Sequence, residues 1–256
     1  MRIVRFFEVA AFAGFLVAAF AVAAPGCFGQ SPDAESIVQA INRERTGHGL
    51  GPLHWDAALA RAAQAHAQEM STQHQLSHQY PGEPGLVTRA GQAGAHFRVV
   101  AENIAMGSTP LGLEDQWMHS APHRANILDP RLDAIGIGLV KRGAYYYGVA
   151  DFADGVAALG PKQIEEKVGA LLAQHGIQPS GPERDARQTC DMEHGTAGGS
   201  SPKFVMRWEG SDLSRLPSVL LQQIQTGKYH TAAVGACDSM HPQQGFTTYR
   251  VAVMLY

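Results

Sequence analysis

Trp117-Met118-His119-Ser120-Ala121-Pro122-His123-Arg124-Ala125-Asn126-Ile127-Leu128 sets histidines, an arginine and an amide among apolar and small residues. Polar groups placed in such surroundings need hydrogen-bonding partners or a ligand, because each one left unpaired costs about 1–3 kcal/mol. Upstream, Glu102-Asn103-Ile104-Ala105 repeats the pattern in a shorter run. Downstream the period changes to two: Ile135, Ile137 and Leu139 alternate with Gly136 and Gly138, and Tyr145 to Phe152 follows Lys141-Arg142-Gly143. That is the pattern of a β-hairpin with a glycine-containing turn. The two glycines leave one strand face flat, so another element is expected to pack close there.

Working back toward the N-terminus, Ser31-Pro32-Asp33 reads as a helix N-cap, an N1 proline and an acidic first turn. Ile37, Val38 and Ile41 give this helix one apolar stripe, and Gly47 is a plausible stop. Leu50-Gly51-Pro52-Leu53-His54-Trp55-Asp56 links it to a second helix, whose Leu59, Ala63, His66 and Met70 share a face. His66 there is expected to be a satisfied histidine at the helix–sheet contact. Thr72 to Val99 reads as loop, and a short helix from Leu111 to Ser120 precedes Pro122-His123-Arg124.

A boundary is expected between Gly155 and Pro161. Beyond it come a helix carrying Ile164, Val168, Leu171 and Leu172, a long loop to Pro202, a strand through Phe204, Met206 and Trp208, a helix from Pro217 to Gly227, and two closing strands. Ala233-Val234-Gly235-Ala236 and Tyr249 to Val253 echo the hairpin of the first half. The alternatives are a shortened relative of that half and a chance likeness between two hairpins.

Several stretches together resemble the CAP superfamily in its bacterial SCP-like branch, whose eukaryotic members are cysteine-rich secretory, antigen-5 and pathogenesis-related proteins. They are Asn42 with Arg45, Leu50 to Asp56, Ala62 to Met70, His78, Glu102 to Gly107, Trp117 to Leu128, and Ile135 to Gly138. The resemblance covers roughly residues 33 to 153, and its specificity lies in order and spacing. It implies an α+β fold, a three-layer α-β-α sandwich, followed here by a smaller α+β domain outside the match. It also implies a cleft in which two histidines and two acids can hold a divalent metal, zinc or calcium. By motif position these are His78, Glu102 and His123, but the second acid's place is taken by Ser120, and Glu114 or Asp115 need not reach the cleft. Asn103, Arg124 and Asn126 complete the cleft set. Arg124 and Asn126 are expected to tie their loop to backbone carbonyls. A hydrogen-bonded polar cluster without metal is the alternative to the ligand set.

The chain starts with Arg2 and Arg5 and an apolar run from Val9 to Ala24, closing on Ala21-Val22-Ala23 ahead of Pro25. This reads as a signal peptide and stem over residues 1–30, with a retained anchor and lipid attachment at Cys27 as alternatives. The CAP-like domain is then 31–157 and the smaller one 158–256. No second segment is long enough to span a membrane. In an oxidising compartment, Cys190 and Cys237 make an even pair expected to form a disulfide, against two buried free thiols. With 45% hydrophobic and 17% charged residues and a net charge of -3, the chain is ordinary globular sequence without a basic footprint, which argues against nucleic acid as partner. There is no G-x-S-x-G elbow, so Ser120 is not expected to be a nucleophile. The leading expectation is therefore an exported binding or interaction module rather than an enzyme, its partner a lipid, peptide or envelope component. The alternatives are a metal-dependent hydrolase with Glu102 activating water and a structural protein of the cell envelope.

Overall fold

A computed structural model describes residues 31–239 and 245–256, so the expected leader and Cys27 lie outside the described residues. The first helix, α1 (Pro32–Gly47), opens as expected: the Ser31 hydroxyl accepts from the Ala34 amide at 3.2 Å, and Pro32 follows. Its inner face fixes two connections. Asn42 pairs through its amide with both the N–H and C=O of Leu53, while buried Arg45 donates to the carbonyls of Gly51, Ile127, Asp129 and Leu132. These two residues of the family-like pattern are scaffold, holding loops that otherwise lack secondary structure.

A two-residue strand, β1 (His54–Trp55), leads into α2 (Ala57–Gln73), whose N-cap Asp56 accepts from the Ala58 and Leu59 amides at 2.7 and 2.9 Å. Then come α3 (Leu86–Gln92), β2 (Phe97–Gly107), α4 (Pro110–His119), α5 (Ala121–Ile127), β3 (Ala134–Arg142) and β4 (Tyr145–Gly155). The segment expected to be loop from Thr72 to Val99 thus holds α3 and the start of β2, and the expected loop of Arg124 and Asn126 is a short helix. Neither carries a clear apolar period, because both rest on neighbours at a few positions only. The expected hairpin is present as β3 and β4.

The sheet runs in the order β1-β3-β4-β2, parallel at β1–β3 and antiparallel elsewhere. Ile37, Ile41, Leu113, Trp117, Ile135, Ile137 and Phe152 form the core between the sheet and α1 and α4. On the opposite face α2 lies directly on β3. A Cβ on Gly136 would sit 2.1 Å from the Ala60 amide nitrogen, and one on Gly138 would sit 2.2 Å from the Ala63 carbonyl carbon. The flat face read from the glycines is the seat of α2. The architecture is an α-β-α sandwich.

Residues 156–160 connect to the second unit: α6 (Pro161–Gln174), α7 (Glu183–Cys190), β5 (Phe204–Gly210), α8 (Ser218–Gln225), β6 (Ala232–Cys237) and β7 (Tyr249–Leu255). The helix α7 lies inside the expected long loop; it is short and polar on average, and its buried face is only Ala186, Thr189 and Cys190. The sheet order is β5-β7-β6, antiparallel throughout. Ile164, Val168 and Leu172 of α6 and Leu220 and Ile224 of α8 pack on one face with Val234, Val251 and Val253; Ala186 of α7 packs on the other with Ala233 and Met254. Cys190 and Cys237 are disulfide-bonded, joining the end of α7 to the end of β6.

Candidate functional site

Along β2, Glu102 and Asn103 point to opposite faces of the sheet, and the two faces use them differently. Asn103 donates to the His123 carbonyl at 3.0 Å and accepts from the Asn126 amide at 2.9 Å, while Asn126 also reaches the Glu102 carbonyl at 3.3 Å. These amides lash α5 to β2. Arg124 donates to the Met118 carbonyl at 3.3 Å and is otherwise exposed. The expectation that Arg124 and Asn126 tie the loop to backbone carbonyls describes both.

Glu102 faces α2, and its side chain is 3% exposed. One carboxylate oxygen pairs with His78 Nδ1 at 2.7 Å, and the other accepts from Arg89 Nη2 at 2.5 Å. Arg89, on α3, also donates to the carbonyls of His78 and Pro84 at 3.2 and 3.1 Å, so one guanidinium holds both the acid and the loop that carries the histidine. His78 itself is 61% exposed, and Nδ1 is the ring nitrogen that Glu102 engages. The hydrogen bond to Glu102, reinforced by its charge and opposed by partial burial, raises the His78 pKa above the ordinary histidine value. His123 moves the opposite way: burial lowers its pKa, and the charge of His78 adds to that. His123 and Ser120 line a cavity of about 380 Å³ with Leu76, Ile104 and Trp117. A larger cavity of about 560 Å³ lies behind Arg89, between α2 and α3.

His66 is fully buried and satisfied, its ring nitrogens 2.6 Å from Glu83 Oε1 and 2.9 Å from the Ser77 carbonyl. Its hydrogen-bond partners belong to the loop beyond α2, and Glu102 on β2 lies 3.9 Å from its Nε2, so the ring does stand between helix and sheet.

Asp151 is a functional candidate the sequence reading passed over. It stands opposite Glu102 in the β2–β4 ladder and is fully buried. Counted as a carboxylate it has no donor at either oxygen; carrying a proton, its hydroxyl donates to Glu102. Burial, then the charge of Glu102, drives its pKa well above the usual carboxylate range. An acid inside Val149-Ala150-Asp151-Phe152 is the same signal that singled out Glu102. Arg89 and Glu83 had no such signal, because their segment reads as loop.

The donor set does not suit a divalent metal as arranged. Among the described residues no three His, Cys, Asp or Glu side chains group as one ion would require. Both Glu102 oxygens are engaged by Arg89 and His78, and Ser120 supplies no charge where a second acid would stand. What the arrangement does offer is an exposed imidazole backed by a buried carboxylate.

The family model for the cysteine-rich secretory protein family, CAP, matches residues 38–152. Protein YkwD of Bacillus subtilis is 34% identical over 113 residues, 44% of this chain and 44% of that protein. The membrane protein YlbC of the same organism is 29% identical over 119 residues, 46% of this chain and 34% of that one. This chain thus spans less than half the length of either relative. Among solved structures, an extracellular SCP-domain protein from Bacillus anthracis is similar at a TM-score of 0.45 and 26% identity, over 47% of this chain and 40% of that one. An outer surface protein from Borrelia burgdorferi reaches a TM-score of 0.46 at 19% identity, over 50% of this chain and 96% of that one. The matched stretch contains α2, the hairpin and every residue of the cleft, and residues 38–152 are a domain of the cysteine-rich secretory protein family.

Proposed function

We propose that this chain is an exported binding module whose CAP domain engages a ligand bearing an acidic or hydrogen-bond-accepting group at the His78–His123 cleft. The observation that carries this reading is the 61%-exposed His78 ring braced by a carboxylate that is itself 3% exposed and clamped by Arg89. A side chain fixed on its inner edge and open on its outer edge gives up little freedom on binding, and that favours recognition. Turnover is less well served. Both Glu102 oxygens already accept hydrogen bonds, and the Ser120 hydroxyl makes no capping bond at the start of α5. Export is supported by the charged and apolar N-terminal pattern and by a disulfide of the kind oxidising compartments maintain.

The test is an NMR titration that follows the ring signals of His78 and His123 while a short acidic peptide, then acetate, is added. The His78 signals should move, the response should weaken as pH rises through the His78 pKa, and His78→Ala should abolish it. Unmoved imidazoles at millimolar peptide would sink the proposal. Zinc and calcium form a second arm, read by thermal melting. A rise in melting temperature that the His78→Ala/His123→Ala double variant removes would replace the polar reading with a metal-binding one.

A further inference from the structure

The second unit reaches back into the first ahead of its last strand. Gly245-Phe246-Thr247, just ahead of β7, lies against α3 and the start of β2. The Thr247 amide donates to the Phe97 carbonyl at 3.0 Å, and the Phe246 ring meets the Phe97 ring edge-on with centroids 5.4 Å apart. Phe246 thereby joins the cluster of Val87, Ala90, Phe97 and Val100. The backbones touch as well. A Cβ on Gly91 would fall 2.4 Å from the Gly245 Cα, and one on Gly245 would fall 2.1 Å from the Val87 carbonyl oxygen. Gly245 also has φ +91°, which favours glycine, so both partners of the contact need to lack a side chain.

The helix gripped in this way is α3, the helix that carries Arg89. Seven residues long and with no side-chain cap at its N-terminus, α3 has few bonds of its own to fix it. Val87 and Gly91 meet the second unit, while Arg89 between them holds Glu102 and the His78 carbonyl. We infer that Gly245-Phe246-Thr247 is a strap by which the second unit holds α3 in place, with Phe246 a positioning residue for the Arg89–Glu102–His78 clamp. This gives the second unit a task in the cleft without contributing a side chain to it. It does not depend on what the cleft binds.

The experiment uses the full chain without ligand and follows the His78 ring through a pH titration by NMR. Glu102→Gln sets the full drop in His78 pKa expected when the clamp is lost. Phe246→Ala should give a substantial part of that drop, Phe246→Leu should restore most of the wild-type value, and amide exchange in α3 should accelerate in the alanine variant. If Phe246→Ala does not fold, Gly91→Ala carries the same test from the other side, since its methyl displaces Gly245, and it should produce the same drop. A His78 titration unchanged from wild type in whichever of these variants is folded would overturn the strap, whatever the acidic-peptide titration shows.

Discussion

The two units of this chain share a frame and differ in what they anchor with it. Setting aside β1, α3 and α5, each runs helix, helix, strand, helix, strand, strand, and the strand order β2-β4-β3 of the first matches β5-β7-β6 of the second. In both, the second helix lies on a strand glycine, Gly136 against Leu59 and Gly235 against Ala186. An added Cβ would fall 2.3 Å from the helix carbonyl carbon in the first and 2.2 Å in the second. Aligning these two glycines puts Asp151 opposite the first and Ala252 opposite the second. The next strand over then presents Glu102 in one unit and Arg207 in the other. Each of those residues reaches the chain at or beyond the end of the second helix. Glu102 takes a side chain, His78, and leaves its ring exposed. Arg207 takes backbone carbonyls, Thr189 at 2.7 Å and Gly195, which ties the loop down and presents nothing. A carboxylate at this ladder position braces an exposed ring, whereas a guanidinium there ties down backbone. The likeness between the units thus extends beyond the hairpin to element order, strand order and helix-on-glycine packing.

The largest effect that would sharpen this comparison is confined to the unit with the covalent tie. The Cys190–Cys237 bond closes a separation of 47 residues. Replacing both cysteines by serine should cost the second unit about 4 kcal/mol by the loop-entropy relation. In denaturant, fluorescence from Trp208 should report an earlier transition than fluorescence from Trp117, and their separation should vanish in the oxidised wild type if the units unfold together. Next come the glycines. Gly136→Val and Gly235→Val should each destabilise by about 3 kcal/mol, because a backbone-to-backbone contact cannot yield as a side chain can. Were Gly235→Val to melt like wild type, the shared helix-on-glycine packing would not be a working part of the second unit, and the likeness would reduce to strand order.

How much of this was readable beforehand follows from where the constraints act. The caps at Ser31 and Asp56, the hairpin and the flat glycine face are local statements, and the structure bears each of them out. Glu102, Asn103 and His123 stood out because polar groups among apolar neighbours need partners. Two of the three helices missing from the reading, α3 and α7, are short and fixed by contacts distant in sequence, Gly245 for α3 and Glu165 with Gly235 for α7. The third, α5, is tied through Asn126 to Asn103, twenty-three residues away. No window of local sequence contains such information. Arg89 fell in the same gap, so the expected metal set was drawn up without the cation that occupies Glu102.

Asp151 offers a smaller effect with a distinctive sign. Its folded-state pKa lies above the unfolded value of about 3.9, so stability is lost as pH rises from that value toward the folded pKa. Asparagine keeps the shape, donates to Glu102 and carries no charge to bury, bringing the first unit closer to the Ala252 condition of the second. Asp151→Asn should therefore be more stable than wild type at pH 7 by about 1 kcal/mol, with the two stability curves converging below about pH 4. Urea denaturation at several pH values checks this, and an asparagine variant that is weaker at pH 7 would mean that Asp151 does more than hold a proton.

The smallest effect belongs to the exposed imidazole that the second unit lacks. A histidine whose folded pKa is raised contributes stability that is fully present below its unfolded value of about 6.5 and is lost as pH rises through the folded value. Because the ring is 61% exposed, solvent screening limits the gain to about 0.5 kcal/mol, in the range of surface ion pairs. His78→Asn should thus trail wild type slightly below pH 6 and match it in alkaline solution, while leaving the Trp208 transition unmoved at every pH. A difference between the two proteins that grew with pH instead would require the Glu102 bond to favour the neutral ring. In that case the cleft would present an acceptor at Nε2, and its ligand would have to be a donor.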